Sequence, residues 1–199
     1  MKKIAICGGI GSGKSTVCQM FAERGAAIYD SDSRAKVLMN ESAELRDLLI
    51  AEFGAECYEG DLLNRPYLAE KVFGSEEQLA KLNAIVHPAV KADFLRWAEE
   101  QEGAYCILET AILFESGFNE VVDFAVAVLA PTPLRVERAM QRDGATLAQI
   151  EARIKVQMSD DELMRRTNFA IVNIHLEDVE KDVAELDYRF KMMKNEQTC

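Results

Sequence analysis

Residues Gly8-Gly9-Ile10-Gly11-Ser12-Gly13-Lys14-Ser15-Thr16 meet the spacing G-x-x-x-x-G-K-S, with Gly8, Gly13, Lys14 and Ser15 at its fixed positions. Each residue type answers a demand of phosphate chemistry. The glycines let successive backbone N–H groups turn inward into a concave anion nest with no side chain in the way. Lys14 adds a mobile positive charge for the β- and γ-phosphates, the Ser15 hydroxyl is a ligand for Mg²⁺, and Thr16 can reach the α-phosphate. Gly9, Gly11, Ser12, Gly13, Lys14, Ser15 and Thr16 are therefore the expected nucleotide contacts. A plain glycine-rich turn is the alternative. It is disfavoured because an apolar, β-branched run (Ile4 to Cys7) precedes the loop and a helical pattern (Val17, Cys18, Met20, Phe21) follows it, so that a helix N-terminus opens onto the nest.

A second chemical feature is Asp30-Ser31-Asp32, two carboxylates at the end of an apolar run. In an open α/β sheet, ligands bind at the C-terminal ends of the strands. One carboxylate there can accept a proton from an attacking hydroxyl or orient it in line with the γ-phosphorus. Capping the helix that begins near Ser33 is an equally good use of Asp. Residue type alone leaves both roles open. A third feature is a cluster of cations in an acidic chain: Arg135, Arg138, Arg142, Arg153, Lys155, Arg165 and Arg166. These are either a solvated helical face with pairs such as Glu162 to Arg166 or positive charge that closes over a transferring phosphoryl group.

The elements that must position these groups follow from the periodicities. β-like runs recur at Ile4 to Cys7, Ala26 to Tyr29, Tyr105 to Leu108, Phe124 to Leu129 and Phe169 to Val172, with helical patterns between most of them. That alternation predicts an α/β fold with a five-stranded parallel sheet covered by helices on both faces. The interval between Tyr29 and Tyr105 exceeds what one crossover needs. Residues 31–101 carry helical spacing, with Ser75 and Gln78 as a capping pair, so a helical subdomain is inserted between 1–30 and 102–199. Beyond the fourth strand, a helix over Leu134 to Arg142 is broken by Asp143-Gly144. Thr146 with Gln149 caps a helix running toward Met158, and Ser159 with Glu162 caps another. The break and its flanking arginines suggest that 139–155 is a lid. The stripe Leu176, Val179, Val183, Leu186, Phe190 reads as a structural helix.

Lys and Arg number 23 against 34 Asp and Glu, for a net charge of −11. That argues against nucleic-acid or anionic-membrane partners recruited by the overall field, so an anionic ligand must meet local positive charge. The five cysteines are odd in number and form no C-x-x-C pair, which predicts neither a disulfide framework nor a zinc site. No run approaches about 18 apolar residues, and the chain opens on a strand rather than a leader-like segment. The expectation is a soluble cytoplasmic protein, a monomer or a small homo-oligomer.

Beyond the phosphate loop, Asp30-Ser31-Asp32 with Ala35-Lys36, Leu82-Asn83-Ala84-Ile85-Val86-His87-Pro88, Ile112-Leu113-Phe114-Glu115 and Gln141-Arg142-Asp143 occur in an order and spacing that resembles dephospho-CoA kinase over nearly the whole chain. The resemblance implies a P-loop nucleotide-kinase fold with a helical CoA-binding subdomain and a lid. It also implies transfer of the γ-phosphoryl of ATP to the ribose 3′-hydroxyl of dephospho-CoA, with Mg²⁺. Asp32 then matches the base, Lys14 the phosphate lysine, and Ser15 and Glu109 the Mg²⁺ side. Arg138 and Arg142 match lid-side cations, and Asn173 lies toward the adenine. Arg34, Lys36, His87 and Glu115 fall on the acceptor side. Three positions depart from the family pattern: Ala111 stands where proline is common, Lys36 where arginine is usual, and Ile174 in a polar stretch. His87 has a structural alternative, ending one helix while Pro88 starts the next. Two other enzyme or switch classes fit less well. A nucleoside or nucleotide kinase does not call for the Leu-Asn-x-x-x-His-Pro segment, and a GTPase switch would need an Asn-Lys-x-Asp guanine reader, which is absent. A CoA-binding module without activity would not need Lys14, Ser15 and Asp32.

Overall fold

A computed structural model describes residues 1–193. In chain order the elements are β1 (Lys2–Cys7), α1 (Lys14–Ala22), β2 (Ala27–Asp30), α2 (Ser31–Glu41), α3 (Ala43–Phe53), β3 (Tyr58–Glu59), β4 (Leu62–Leu63), α4 (Arg65–Val72), α5 (Glu76–Glu99), β5 (Tyr105–Thr110), β6 (Phe124–Leu129), α6 (Thr132–Asp143), α7 (Leu147–Lys155), α8 (Asp160–Arg166), β7 (Phe169–Val172) and α9 (Leu176–Met192). Their contacts sort into two compact units, one of Met1–Tyr29 with the chain from Ala98 onward, the other Asp30–Trp97.

The first unit is built on a five-stranded sheet ordered β2-β5-β1-β6-β7. β1 lies in the middle, parallel to β5 on one side and to β6 on the other, and β7 continues parallel beyond β6. Strands buried on both faces need apolar residues throughout, which is why Ile4, Ala5 and Ile6 are wholly inaccessible. On one face Ile4, Ile6, Val126, Val128 and Ile171 pack beneath Val17 and Phe21 of α1 and Val179, Val183 and Phe190 of α9. Phe190 closes this layer, with ring centroids 5.4 Å from Tyr105 and 5.6 Å from Phe169, both edge-to-face. Such pairs add about 0.5–1.5 kcal/mol each beyond the area they bury.

The second unit has its own core. Leu45, Leu49, Phe53, Cys57, Tyr58 and Leu68 are buried together, with Leu38, Leu82 and Ile85 packed against them. Two features differ from the expectation of helices alone. β3 and β4 form a small antiparallel hairpin around Gly60, whose φ of 63° suits the tight turn. α5 also runs unbroken through His87 and Pro88, which corrects the reading of a helix end there. An internal proline removes one N–H and costs about 3 kcal/mol, but Val86, Val90 and Phe94, spaced by four, form one buried stripe on both sides of it. Pro88 itself faces outward. Arg34 of α2 donates a two-pronged pair of hydrogen bonds to Asp93 of α5, 3.0 Å each, tying these helices together. None of the described helices is long and apolar enough to cross a membrane.

Candidate active site

The loop from β1 to α1 takes its shape from two kinds of glycine requirement. Gly11 (φ 73°) and Gly13 (φ 92°) occupy the left-handed region that side chains disfavour. Gly9 does not, and is needed for space instead: a Cβ there would lie 1.8 Å from Nη2 of Arg135. Ser12 N–H donates to the Gly9 carbonyl at 3.2 Å and closes the turn. The Ser12 hydroxyl is buried and makes no hydrogen bond among the described residues. An unsatisfied buried hydroxyl costs about 1–3 kcal/mol, and a phosphate oxygen seated in the nest would satisfy it. Lys14 folds back over the loop, with Nζ 3.0 Å from the Gly8 carbonyl and 3.4 Å from that of Gly9. Ser15 and Thr16 are exposed on the first turn of α1.

The sheet register brings a carboxylate to this loop. Glu109 is paired with Ile6, one residue before the end of β1, so the two neighbouring strands deliver Glu109 to the same edge as the loop. The Ser15 hydroxyl donates to Glu109 Oε1 at 2.8 Å. Two hard oxygen donors suit Mg²⁺, which keeps several waters and is held by few protein groups plus substrate phosphates. Cys7, at the end of β1, plays no such part. Burial pushes its thiol up to about 12 against the nearby Lys14 charge, so no thiolate forms near neutral pH.

After β5 the chain turns with alanine at 111. Thr110 Oγ1 accepts from Ile112 N–H at 3.3 Å and the Ile112 carbonyl accepts from Ser116 N–H at 3.0 Å, so a threonine side chain holds the bend that a proline would otherwise stiffen. Glu115 is exposed on this turn. Beside it, the Arg166 guanidinium lies 4.0 Å above the Phe114 ring. The expected Glu162 to Arg166 pair is replaced by Arg165, which donates to Glu162 at 2.7 Å.

Asn173, following β7, is buried and its side-chain amide donates to the Ser12 carbonyl at 2.9 Å. Its own carbonyl accepts from Arg138 Nη1 at 3.1 Å. Asn173 thus buttresses the phosphate loop from behind, and a Cβ on Gly13 would lie 1.9 Å from that amide nitrogen. Arg142, in the last turn of α6, is exposed and donates to both oxygens of Asp143 at 2.7 and 3.0 Å. Arg153 reaches the same carboxylate at 3.4 Å. The Arg142 hydrogen bond holds the Asp143 carboxyl below its usual range. Gly144 caps the helix with φ 63°, and Thr146 with Gln149 forms the expected capping box.

In the second unit Asp30 takes the capping role. Its Oδ1 accepts from the N–H groups of Asp32 and Ser33 at 3.0 and 3.2 Å, and Oδ2 accepts from the Ser33 hydroxyl, so Asp30 caps α2. Asp32 stands exposed in the first turn, with exposed Lys36 one turn further on. Arg34 is held by Asp93 as described. His87 is half-buried, and burial, helped by the Lys91 charge, lowers its pKa, so the ring is neutral at pH 7. Arg135 and Gln157 also meet at the phosphate loop, with Asp160 paired to Arg135 behind them. Arg135 appears in the sequence only as one member of the basic cluster, and nothing in the spacing singles out Gln157 or Asp160.

A parallel sheet whose central strand feeds a G-x-x-x-x-G-K-S loop, with a serine hydroxyl and a carboxylate hydrogen-bonded at its mouth, defines a P-loop phosphotransferase. The family model for dephospho-CoA kinase matches residues 2–178. The chain is 43% identical over 165 residues to dephospho-CoA kinase of Porphyromonas gingivalis, covering 83% of this chain and 82% of that one. It is 42% identical over 192 residues to the Salinibacter ruber enzyme, covering 94% and 96% respectively. A crystal structure from Thermus thermophilus superposes with a TM-score of 0.81 at 30% identity, covering 97% of this chain and 98% of that one. The chain belongs to the dephospho-CoA kinase family, and is a transferase.

Proposed function

We propose that this chain transfers the γ-phosphoryl group of ATP to the ribose 3′-hydroxyl of dephospho-CoA, giving coenzyme A and ADP at the end of CoA synthesis. The observation that carries the reading is the Ser15 to Glu109 hydrogen bond beside Lys14, at the mouth of a nest with an unsatisfied Ser12 hydroxyl. Lys14 leaves the Gly8 and Gly9 carbonyls for the β- and γ-phosphates, and Thr16 reaches the α-phosphate. Ser15 and Glu109 would hold Mg²⁺, which when bound would neutralise charge on the phosphate oxygens. Asp32 orients the acceptor hydroxyl and accepts its proton. Asp30 is spent on the helix cap, which is why Asp32 rather than Asp30 takes this role. Lys36, His87 and Glu115 supply acceptor contacts. Arg34 contributes by fixing α2 through Asp93, or by sharing its fork with an acceptor phosphate. The setting is the reducing cytoplasm, which suits four described cysteines that are all unbridged and buried.

A coupled ADP-release assay over dephospho-CoA, AMP, CMP and adenosine tests the reading. Dephospho-CoA is expected to turn over best, with phosphate appearing on its 3′-oxygen; preference for a nucleoside monophosphate overturns it.

Residues 139–155 serve as the lid in this proposal. Arg142 is tied to Asp143 only by an exposed ion pair, which is worth little and is easily exchanged for a phosphoryl oxygen. Gly144 supplies a hinge. Arg142→Ala should lower kcat about tenfold or more, the effect of losing one charged hydrogen bond, with a smaller change in the KM for acceptor. Amides across the segment should gain hydrogen-exchange protection when nucleotide and acceptor are both bound. Full activity in the variant together with unchanged exchange would make these arginines a solvated face.

A further inference from the structure

We infer that Gln157 and Arg135 are positioning residues that hold the phosphate loop in its working shape by gripping its crest at Ile10. The Ile10 N–H donates to Gln157 Oε1 at 2.8 Å, and the Ile10 carbonyl accepts from Arg135 Nε at 3.0 Å. The peptides on both sides of one residue are therefore fixed from outside the loop. Arg135 is itself locked. Its side chain is 5% exposed, and Nη1 donates to Asp160 at 3.0 Å.

Two loop glycines are shaped to this grip as much as to the anion. A Cβ on Gly9 would strike the Arg135 guanidinium at 1.8 Å, and one on Gly11 would lie 2.1 Å from the Arg135 carbonyl. The first turn of α6 thus lies directly against the loop. One consequence concerns the nest: the Ile10 N–H is taken by Gln157, which leaves anion binding to donors further along the loop. Another concerns α6, since Arg135, Arg138 and Arg142 follow one another along a single helix. Anchoring its first turn to Ile10 sets the position of the other two arginines relative to the phosphates. Glycine-rich loops have many accessible backbone states, so the two side chains also lower the entropy lost when phosphate binds.

This inference rests on the kinase reading of the loop, and its test starts from ATP alone. Calorimetric titration of ATP without acceptor should show Gln157→Met weakening binding about tenfold, the loss of one hydrogen bond to a part-buried N–H. The KM for dephospho-CoA should stay unchanged. Gln157→Glu, which keeps an accepting oxygen next to Arg135, should restore most of the ATP affinity. Wild-type ATP affinity in a folded Gln157→Met protein, equal shifts in the ATP and acceptor constants, or failure of Gln157→Glu to restore binding would each overturn the inference. A lowered melting temperature with unaltered ATP affinity would do so too, since it marks a residue that only stabilises the fold. Wild-type protein that binds ATP but leaves dephospho-CoA unphosphorylated would overturn the proposed function and leave this inference standing.

Discussion

Lys14→Ala is expected to lower kcat by about 10²–10³, the usual result of deleting one preorganised charge or donor aimed at the transition state. The lysine sits at the start of α1, partly buried, and its ammonium donates to the Gly8 and Gly9 carbonyls. The buried cluster that joins β1, α1 and α9 does not include Lys14, so shortening the side chain leaves that packing in place. The fold therefore survives, and a thermal melt of the variant should superpose on that of the parent. The measurement is kcat at saturating ATP and dephospho-CoA, since a fall in affinity alone would not lower it. Near-normal turnover in an intact fold removes the phosphate role from this loop.

Asp32→Asn is expected to retain ATP binding while kcat falls by about 10²–10⁴, the range found for a positioned acid or base. The substitution keeps size and one accepting oxygen, so what is lost is the ability to take a proton and to orient a hydroxyl by charge. Asp30→Asn is the matched control. Asparagine caps helices about as well as aspartate, and its Oδ1 still accepts from Asp32 and Ser33 N–H, so activity should change far less. Reversed magnitudes would exchange the roles of the two carboxylates.

The phosphate loop is legible in the sequence alone, for a physical reason. A phosphate nest is made by local backbone geometry, and local geometry is written in glycine spacing. The strands were equally legible, since residues buried on both faces of a parallel sheet must form short unbroken apolar runs. What stayed hidden depended on partners distant in the chain. Gln157 is an unremarkable polar residue until folding brings it 2.8 Å from Ile10 N–H. Nothing in the spacing shows that the Asn173 side-chain amide donates to the Ser12 carbonyl. The continuity of α5 could not be read from Pro88, because the stripe that outweighs the proline is recognised only once Val86, Val90 and Phe94 are seen buried on one side. The β3 to β4 hairpin did carry a local signal, Gly60-Asp61 between Glu59 and Leu62, of the kind that favours a two-residue turn. The surrounding helical periodicity masked it.

The way β1 is paired has a consequence for how the chain emerges during synthesis. Lys2 and Lys3 make their strand partners at Tyr105 and Cys106, and the layer above β1 is closed by Phe190. β1 is thus made well before β5, β6 and α9, and apart from the cover that α1 gives on one face its apolar side chains must wait while most of the chain is translated. The contiguous unit Asp30–Trp97 is different, because every residue of its core lies within it. Its contacts can form while the sheet still lacks three of its five strands, and chains at that stage are the aggregation-prone ones. An inserted helical unit of this kind shortens the length of polypeptide left unstructured on the ribosome.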